Sequence, residues 1–247
     1  MLKFSIVTVT LNCKATIGKT INSINNQKFK NFEYIVVDGK SVDNTLDEIK
    51  KLRHNDVKII SEEDRGIYDA MNKGIKLSKG DFIAFLNSDD WYENDALYLV
   101  NHYLEKYPNT DVLYSDAKFF KKNKFKFYSK SKFHKLNYDM SISHPGMFVK
   151  KKILQNFLFD LKYQISADYD FILKVKNLYR FSYLQKSFVN ISLGGRSSDL
   201  LLSSKEFFEI QKQYFGFKKA NINFIKKYHY HILKIIFMKL INWIKSI

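Results

Sequence analysis

At 247 residues, with 45% hydrophobic residues, 2 prolines and 9 glycines, the chain can bury a full core as one large domain with an appendage, and it leaves little room for long disordered linkers. Lysine and arginine number 41 against 25 acids, a formal net charge of +16, so the partners to weigh are nucleic acid, an anionic membrane surface and phosphorylated substrates. The single cysteine, Cys13, forbids an internal disulfide and fits a reducing cytosol; the sequence shows no signal peptide before its first strand and no apolar run of the ~18 residues a membrane span needs.

The N-terminal half alternates strands and helices. Phe4 to Leu11 reads as a strand, and Ile17, Ile21 and Ile24 then recur at helical spacing. Phe32 to Val37 is a second strand closed by Asp38-Gly39, followed by a helix marked by Leu46, Ile49 and Leu52 and a third strand from Val57 to Ile60. Ile67, Met71 and Ile75 give a third helix. Phe82 to Leu86 is a short, wholly apolar strand that ends abruptly in Asn87-Ser-Asp-Asp90, and Leu97, Val100 and Leu104 mark a fourth helix. This βαβα alternation implies an α/β fold with a parallel sheet and right-handed crossovers, so the strand ends at Thr10, Asp38, Ser61 and Asn87 share one edge.

Open α/β sheets bind ligands at that edge. It offers the hydroxyls of Thr8 and Thr10, then Asp38, Asp43, Arg65, Asn72 and Asp89. Carboxylates and hydroxyls there suit a base and ribose, while an arginine and a metal suit phosphates. Oxygen-only ligands favour a hard cation, Mg²⁺ or Mn²⁺. The plainer alternative for Asp89 and Asp90 is that they cap a helix beginning near Asn94. A dinucleotide-binding domain is disfavoured, because the first turn, Leu11 to Gly18, carries no G-x-G-x-x-G.

Four stretches, Ser5-Ile-Val-Thr-Val-Thr-Leu-Asn12, Val36-Val-Asp-Gly-Lys-Ser-Val-Asp-Asn-Thr45, Asp64-Arg-Gly-Ile-Tyr-Asp-Ala-Met-Asn-Lys-Gly74 and Gly80-Asp-Phe-Ile-Ala-Phe-Leu-Asn-Ser-Asp-Asp90, resemble in order the motifs of family 2 inverting glycosyltransferases with a GT-A fold. The nearest likeness is to bacterial enzymes that build capsule, exopolysaccharide and lipopolysaccharide. The likeness continues more weakly through His144-Pro-Gly-Met-Phe148, Ser166-Ala-Asp-Tyr-Asp170 and Gly194-Gly-Arg-Ser-Ser198. It implies a mostly parallel, Rossmann-like sheet in a catalytic domain over 1–204, with a helical extension over 205–247.

The resemblance also implies roles. Thr8 and Thr10 would line the nucleotide pocket, Asp38 would read the base, and Asp43, Arg65 and Asn72 would lie along the nucleotide. Asn87-Ser88-Asp89 falls on the family's D-x-D position with Asn in place of the first Asp, which leaves Asp89 as the metal ligand; an amide oxygen still accepts a ribose hydroxyl. Arg196 would grip the diphosphate from a mobile loop, the alternative being an ordinary glycine-rich turn. Inverting transfer needs a general base, and Asp168, where the family has a Glu-Asp pair, is the candidate. Phe171, Ile172, Val175 and Leu178 put it at the start of a helix, so its plainer reading is an N-terminal cap. His144 would sit in an acceptor-side loop, although a lone loop histidine is commonly a surface residue.

Two features bear on partners. Phe119 to Tyr128, centred on Lys121-Lys-Asn-Lys124, reads as a basic hairpin able to touch anionic lipid or simply be solvated. In the segment from Phe217, one helical face carries Ile225, Ile232, Ile236, Leu240, Trp243 and Ile247, and another Lys227, His231, Lys234 and Lys245. Such a helix can lie in a membrane interface or pack on the domain. The expectation is therefore a metal-dependent cytoplasmic enzyme, in peripheral contact with the inner face of the membrane, that moves a sugar from a nucleotide sugar, UDP by default, to a glycan or lipid-linked acceptor. The alternative is a non-enzymatic basic protein binding membrane or nucleic acid; no RNA-binding or helix-turn-helix pattern supports the latter, so no nucleic-acid partner is expected.

Overall fold

In the computed structural model, which describes residues 3–52, 57–195 and 199–229, strand β1 (Phe4–Thr10) is buried along its whole length. Its side chains alternate between two cores. Val7 and Val9 join Ile35, Val37, Ile83 and Phe85 on one face of the sheet; Phe4 and Ile6 join Tyr34, Val36, Phe82 and Ala84 on the other. Because both faces are covered, the strands read in sequence as continuous apolar runs.

The parallel half of the sheet is β3 (Val57–Ser61), β2 (Phe32–Asp38), β1 and β4 (Phe82–Phe85). Helices α1 (Lys14–Asn25), α2 (Thr45–Leu52) and α4 (Ala96–Lys106) cover one face, and α3 (Ile67–Leu77) the other. Gly74 lets α3 lie directly on β1, since a Cβ there would strike the Val7 side chain. Beyond β4 the sheet turns mixed. β8 (Met147–Lys150) runs antiparallel to both β4 and β6 (Val112–Lys121), β6 is parallel to β9 (Phe181–Ser192), and β9 carries the two-residue β5 (Trp91–Tyr92).

The basic hairpin forms from β6 and β7 (Lys124–Ser129), closed by Lys122 and Asn123, both at positive φ. Two positive-φ residues in a two-residue loop match the twist of the flanking strands. Helices α5 (Lys151–Asn156), α6 (Ala167–Val175), α7 (Leu200–Phe215) and a last helix over 217–229 complete the α3 face. α6 stops at Val175, which leaves Leu178 64% exposed rather than on its apolar face.

The boundary drawn at 204/205 falls inside α7. Phe207 and Ile210 of that helix, and Tyr228 beyond it, lie in the same core as Met71 and Ile172. Gln211 donates to the Tyr169 hydroxyl at 2.6 Å, and Asn223 donates to Asn137 O at 3.1 Å. Through residue 229 the C-terminal segment therefore packs on the domain, while the stretch carrying Ile232, Ile236, Leu240, Trp243 and Ile247 lies outside the described residues. No helix among the described residues is long and apolar enough to cross a membrane.

Candidate active site at the carboxyl edge of the sheet

Strand register brings the edge residues into line: Thr10 pairs with Asp38, and Asp38 with Ser61. Asp38 is fully buried. Its Oδ2 accepts from Ser61 Oγ (2.6 Å) and Ser41 N (3.0 Å), and its Oδ1 from Ser41 Oγ (2.5 Å). Those bonds pin the β2 exit against β3. Gly39 follows because a Cβ there would collide with the Asp64 carboxylate. The Thr10 hydroxyl, by contrast, is buried with no hydrogen-bond partner within the protein, so it is free to bond a ligand or water at this edge.

Two residues past the end of β4 comes Asn87. Its Nδ2 donates to Asp90 Oδ2 at 3.1 Å, whereas its Oδ1 is buried without a partner. Ser88 beside it is buried. Asp90, only 2% exposed, also accepts from Ser192 N at 2.9 Å. Residues 91–92 form β5, and the residue preceding α4 is Asp95. Asp89 and Asp90 are therefore not the caps of α4. Burial and the Asp89 charge push the Asp90 carboxyl up to about 8, and burial raises Asp89. Two adjacent, desolvated carboxylates in this state lack a counter-charge.

A hard divalent cation would supply that charge, and two adjacent carboxylates are oxygen donors of the kind such an ion takes. Among the described residues no group of three His, Cys, Asp or Glu could hold a metal ion, so protein oxygens alone do not complete a coordination sphere. Mg²⁺ and Mn²⁺ sites that share their ion with a phosphate group need only one or two carboxylates. A Cβ on Gly195 would lie 3.4 Å from Asp89 Oδ2, so the loop after β9 runs over this carboxylate. Arg196, the next residue, lies outside the described residues.

Several residues singled out in the sequence have other engagements. Thr8 is fully buried and accepts from the Tyr34 hydroxyl at 3.0 Å. Both amide atoms of Asn72 bond the backbone of Phe159, at 2.9 and 3.0 Å, which ties α3 to the 157–161 segment. Asp43 accepts from Thr45 Oγ1 and from Lys14 N (3.1 Å), joining the loops after β1 and β2; the Thr45 hydroxyl is the main cause of its lowered carboxyl pKa. Arg65 has a side chain 78% exposed, 3.8 Å from Asp69. Of these four, Thr8 and Asn72 are buried, while Asp43 is partly exposed and Arg65 presents its charge to solvent.

A second cluster forms where α3, the turn before β8 and α6 meet. Asp168, in the first turn of α6, accepts at Oδ1 from Tyr68 Oη (3.0 Å) and from Tyr169 N (2.9 Å). Its Oδ2 lies 3.9 Å from His144 Nδ1. His144 is not a surface residue: its side chain is 12% exposed and its ring packs 5.3 Å from Phe85 and 5.5 Å from Phe159. Burial lowers its pKa more than Asp168 raises it, so the ring is neutral at pH 7. Burial, then Asp168, holds the Tyr68 hydroxyl well above the usual range. Because Phe85 ends β4, the His144–Asp168 pair abuts the strand that delivers Asn87 and Asp89.

Residues 5–165 match the model of the family described as glycosyl transferase family 2. The chain belongs to that family. A "PGL/p-HBAD biosynthesis glycosyltransferase" of Mycobacterium tuberculosis is 32% identical over 173 residues, 68% of this chain and 67% of the relative. The Escherichia coli "UDP-Glc:alpha-D-GlcNAc-diphosphoundecaprenol beta-1,3-glucosyltransferase WfaP" is 36% identical over 102 residues, 41% of each. Among solved structures, S. aureus TarS 1-349 in complex with UDP-GlcNAc superimposes with a TM-score of 0.73 at 24% identity, covering 86% of this chain and 65% of that one. The structural likeness establishes the GT-A fold for this family 2 chain; the matched region is shorter than the relatives themselves.

Proposed function

We propose that this chain transfers a sugar from a nucleotide sugar, UDP-linked, with inversion at the anomeric carbon, to a glycan or lipid-linked acceptor during assembly of a bacterial capsule, exopolysaccharide or lipopolysaccharide. The observation that carries the reading is the edge itself: Asp89 and Asp90 desolvated side by side after β4, with the Asn87 and Thr10 oxygens buried and unpartnered nearby. A nucleoside diphosphate with its cation supplies what each lacks. The UDP assignment also draws on the WfaP relative, whose name specifies a UDP-sugar donor and a diphosphoundecaprenol acceptor.

In this reading Thr10 and Asn87 accept or donate to the nucleoside, Asp38 shapes the base pocket through its serine bonds, and Asp89, next to Asp90, would hold Mg²⁺ or Mn²⁺. Arg65 and Arg196 neutralise phosphate oxygens. The bound metal would act as a Lewis acid on the departing diphosphate. Asp168 is the base. Its Oδ1 is held by Tyr68 and the Tyr169 amide, which leaves Oδ2 to take the acceptor hydroxyl proton as that oxygen bonds to the anomeric carbon and the carbon–phosphate-oxygen bond breaks. His144, neutral and buried, lines the acceptor side.

The acceptor's location gives the basic hairpin a use. From 117 to 138 the sequence holds eight lysines and no acid, and Phe125 and Phe127 are about half exposed (55% and 48%). The hairpin abuts the donor edge, since Phe120 packs 4.8 Å from Trp91 and Lys19 joins Asn123 at 3.1 Å. Lysines with exposed aromatics suit an anionic bilayer, where a lipid-linked acceptor resides. The test is to incubate the protein with Mn²⁺, a panel of UDP-sugars and a diphospholipid-linked acceptor, and to read UDP release and product anomeric configuration by NMR. A retained configuration, or no turnover with any UDP-sugar while another nucleotide supports it, overturns the respective part.

A further inference from the structure

We infer that Glu206 is a positioning residue for Asp168, acting from the C-terminal helix on the turn that carries the base. This rests on Asp168 being the base, as proposed above. Glu206 lies on α7, is 6% exposed, and its carboxylate accepts from three consecutive backbone amides: Gln164 N at 2.6 Å, Ile165 N at 3.0 Å and Ser166 N at 2.9 Å. Ser166 is the residue before α6, and its own side chain makes no capping bond. A carboxylate from another helix thus takes the place of a local cap. The three amides are part-buried, and leaving them unpaired is costly, so Glu206 helps to fix the turn.

The same turn is tied to the reacting group by a second route. The Tyr68 hydroxyl reaches both Ile165 O at 2.6 Å and Asp168 Oδ1 at 3.0 Å. Glu206 therefore fixes Ile165 from its amide side while Tyr68 fixes it from its carbonyl side, and Asp168 hangs from the result.

Two substitutions test the geometry. Glu206→Gln removes the charge and leaves one acceptor oxygen for three amides; Glu206→Asp keeps the charge but falls one methylene short. Kinetics are read on the full chain with saturating donor and Mn²⁺, alongside Asp168→Asn and Glu209→Gln, the latter removing a charge from an exposed neighbour on the same helix. Glu206→Gln should lower kcat between about 10- and 100-fold with donor KM unchanged, the cost of misplacing a catalytic group. Glu206→Asp, with its shorter reach, should lower kcat as well, again with donor KM unchanged. Glu209→Gln should match the wild type.

If Asp168→Asn is inactive while Glu206→Gln keeps the wild-type kcat, the positioning role is wrong and the base assignment stands. If both Glu206 variants lose melting temperature but the folded fraction turns over normally, Glu206 is structural only and the inference fails. If Asp168→Asn turns over normally, the base assignment falls and takes the inference with it. Should Glu206→Gln not fold, Glu206→Asp decides, because normal kcat in that variant overturns the geometric claim.

Discussion

Tyr68 and Asp168, 100 residues apart in sequence, meet through a 3.0 Å hydrogen bond. The contact joins two motifs that the sequence presents separately. Tyr68 lies three residues after Arg65, so the start of α3 carries an exposed cation at Arg65 and, at Tyr68, a hydroxyl that bonds both Ile165 O and Asp168. A hydroxyl on Oδ1 also selects which oxygen of Asp168 is free.

Asp168→Asn should preserve the Tyr68 contact and the fold yet be unable to take a proton. Turnover should fall by about 10² to 10⁴, the range for loss of a general base, with donor affinity unchanged. Asp170→Asn is the contrast. Its carboxylate is fully buried, accepts from Tyr214 Oη at 2.9 Å and pairs with Lys174 Nζ at 2.6 Å, so that variant should lose about 1–3 kcal/mol of stability and keep its turnover per folded molecule. Inactivity in Asp170→Asn with normal turnover in Asp168→Asn would reassign the base.

Asp89→Ala should abolish metal-dependent nucleoside diphosphate binding without unfolding the protein. The variant removes one of very few protein oxygens available to the ion, and it also relieves the repulsion that raises Asp90. Calorimetry with UDP, with and without Mn²⁺, reads the first effect. Equal affinity in wild type and variant, in the presence of metal, would remove Asp89 from the site.

The parallel half of the fold was legible because each strand is a short apolar run that ends in a polar cluster, and register then aligned Thr10, Asp38 and Ser61 as the strand ends implied. Of β6 only the hairpin end from Phe119 was legible, and β9 was not. β9 carries Gln185, Lys186 and Asn190 among its apolar residues, and β6 buries Asp116. That carboxylate is satisfied by Tyr128 and Tyr183 hydroxyls and by Ser131 N, partners drawn from three separate segments. The site shows the same division. Asn87 to Asp90 are contiguous and could be seen as a cluster, whereas Glu206 joins the Asp168 turn from 40 residues away, a relation no local pattern encodes. Asn72, polar within a recognisable motif, proved to be a brace because its partners are backbone atoms of Phe159.

His144 makes stability depend on pH in a definite direction. Burial depresses its pKa in the folded protein, so the unfolded chain binds the proton more readily below its ordinary pKa of about 6.5. The stability associated with the neutral ring is complete above that value and is lost as pH falls toward and through the folded pKa. Relative to His144→Gln, the wild type should therefore lose melting temperature as pH drops from about 7 to 5. Parallel curves over that interval would mean that the ring is not held neutral in the fold.

Replacing Lys122 and Lys124 with Glu and Phe125 with Ser should reduce sedimentation with phosphatidylglycerol-containing vesicles and leave UDP binding intact. The three positions lie at the hairpin end, where Phe125 is 55% exposed, so folding should be unaffected. Wild-type binding should weaken with salt, as expected for lysines on anionic lipid. Sedimentation equal to wild type would discard the hairpin as a docking surface.

The last helix supplies a test of where the domain ends. Between 217 and 229, Ala220 and Tyr228 are buried, Tyr228 packs 5.8 Å from Phe207, and Asn223 donates at 2.6 Å to Gln211 Oε1. Gln211 in turn donates to Tyr169, which sits next to Asp168 on α6. A chain ending before Asn221 removes the Asn223 and Tyr228 contacts and uncovers Phe207, a loss comparable to truncating a large buried side chain, about 2–5 kcal/mol. It should melt earlier and turn over more slowly, because the disturbance reaches Asp168 through Tyr169. A chain ending after residue 229 keeps every one of these contacts and should retain the melting temperature and the nucleotide site. Two equal melting curves, or a stable and fully active chain ending before 221, would show that the domain is complete without this helix.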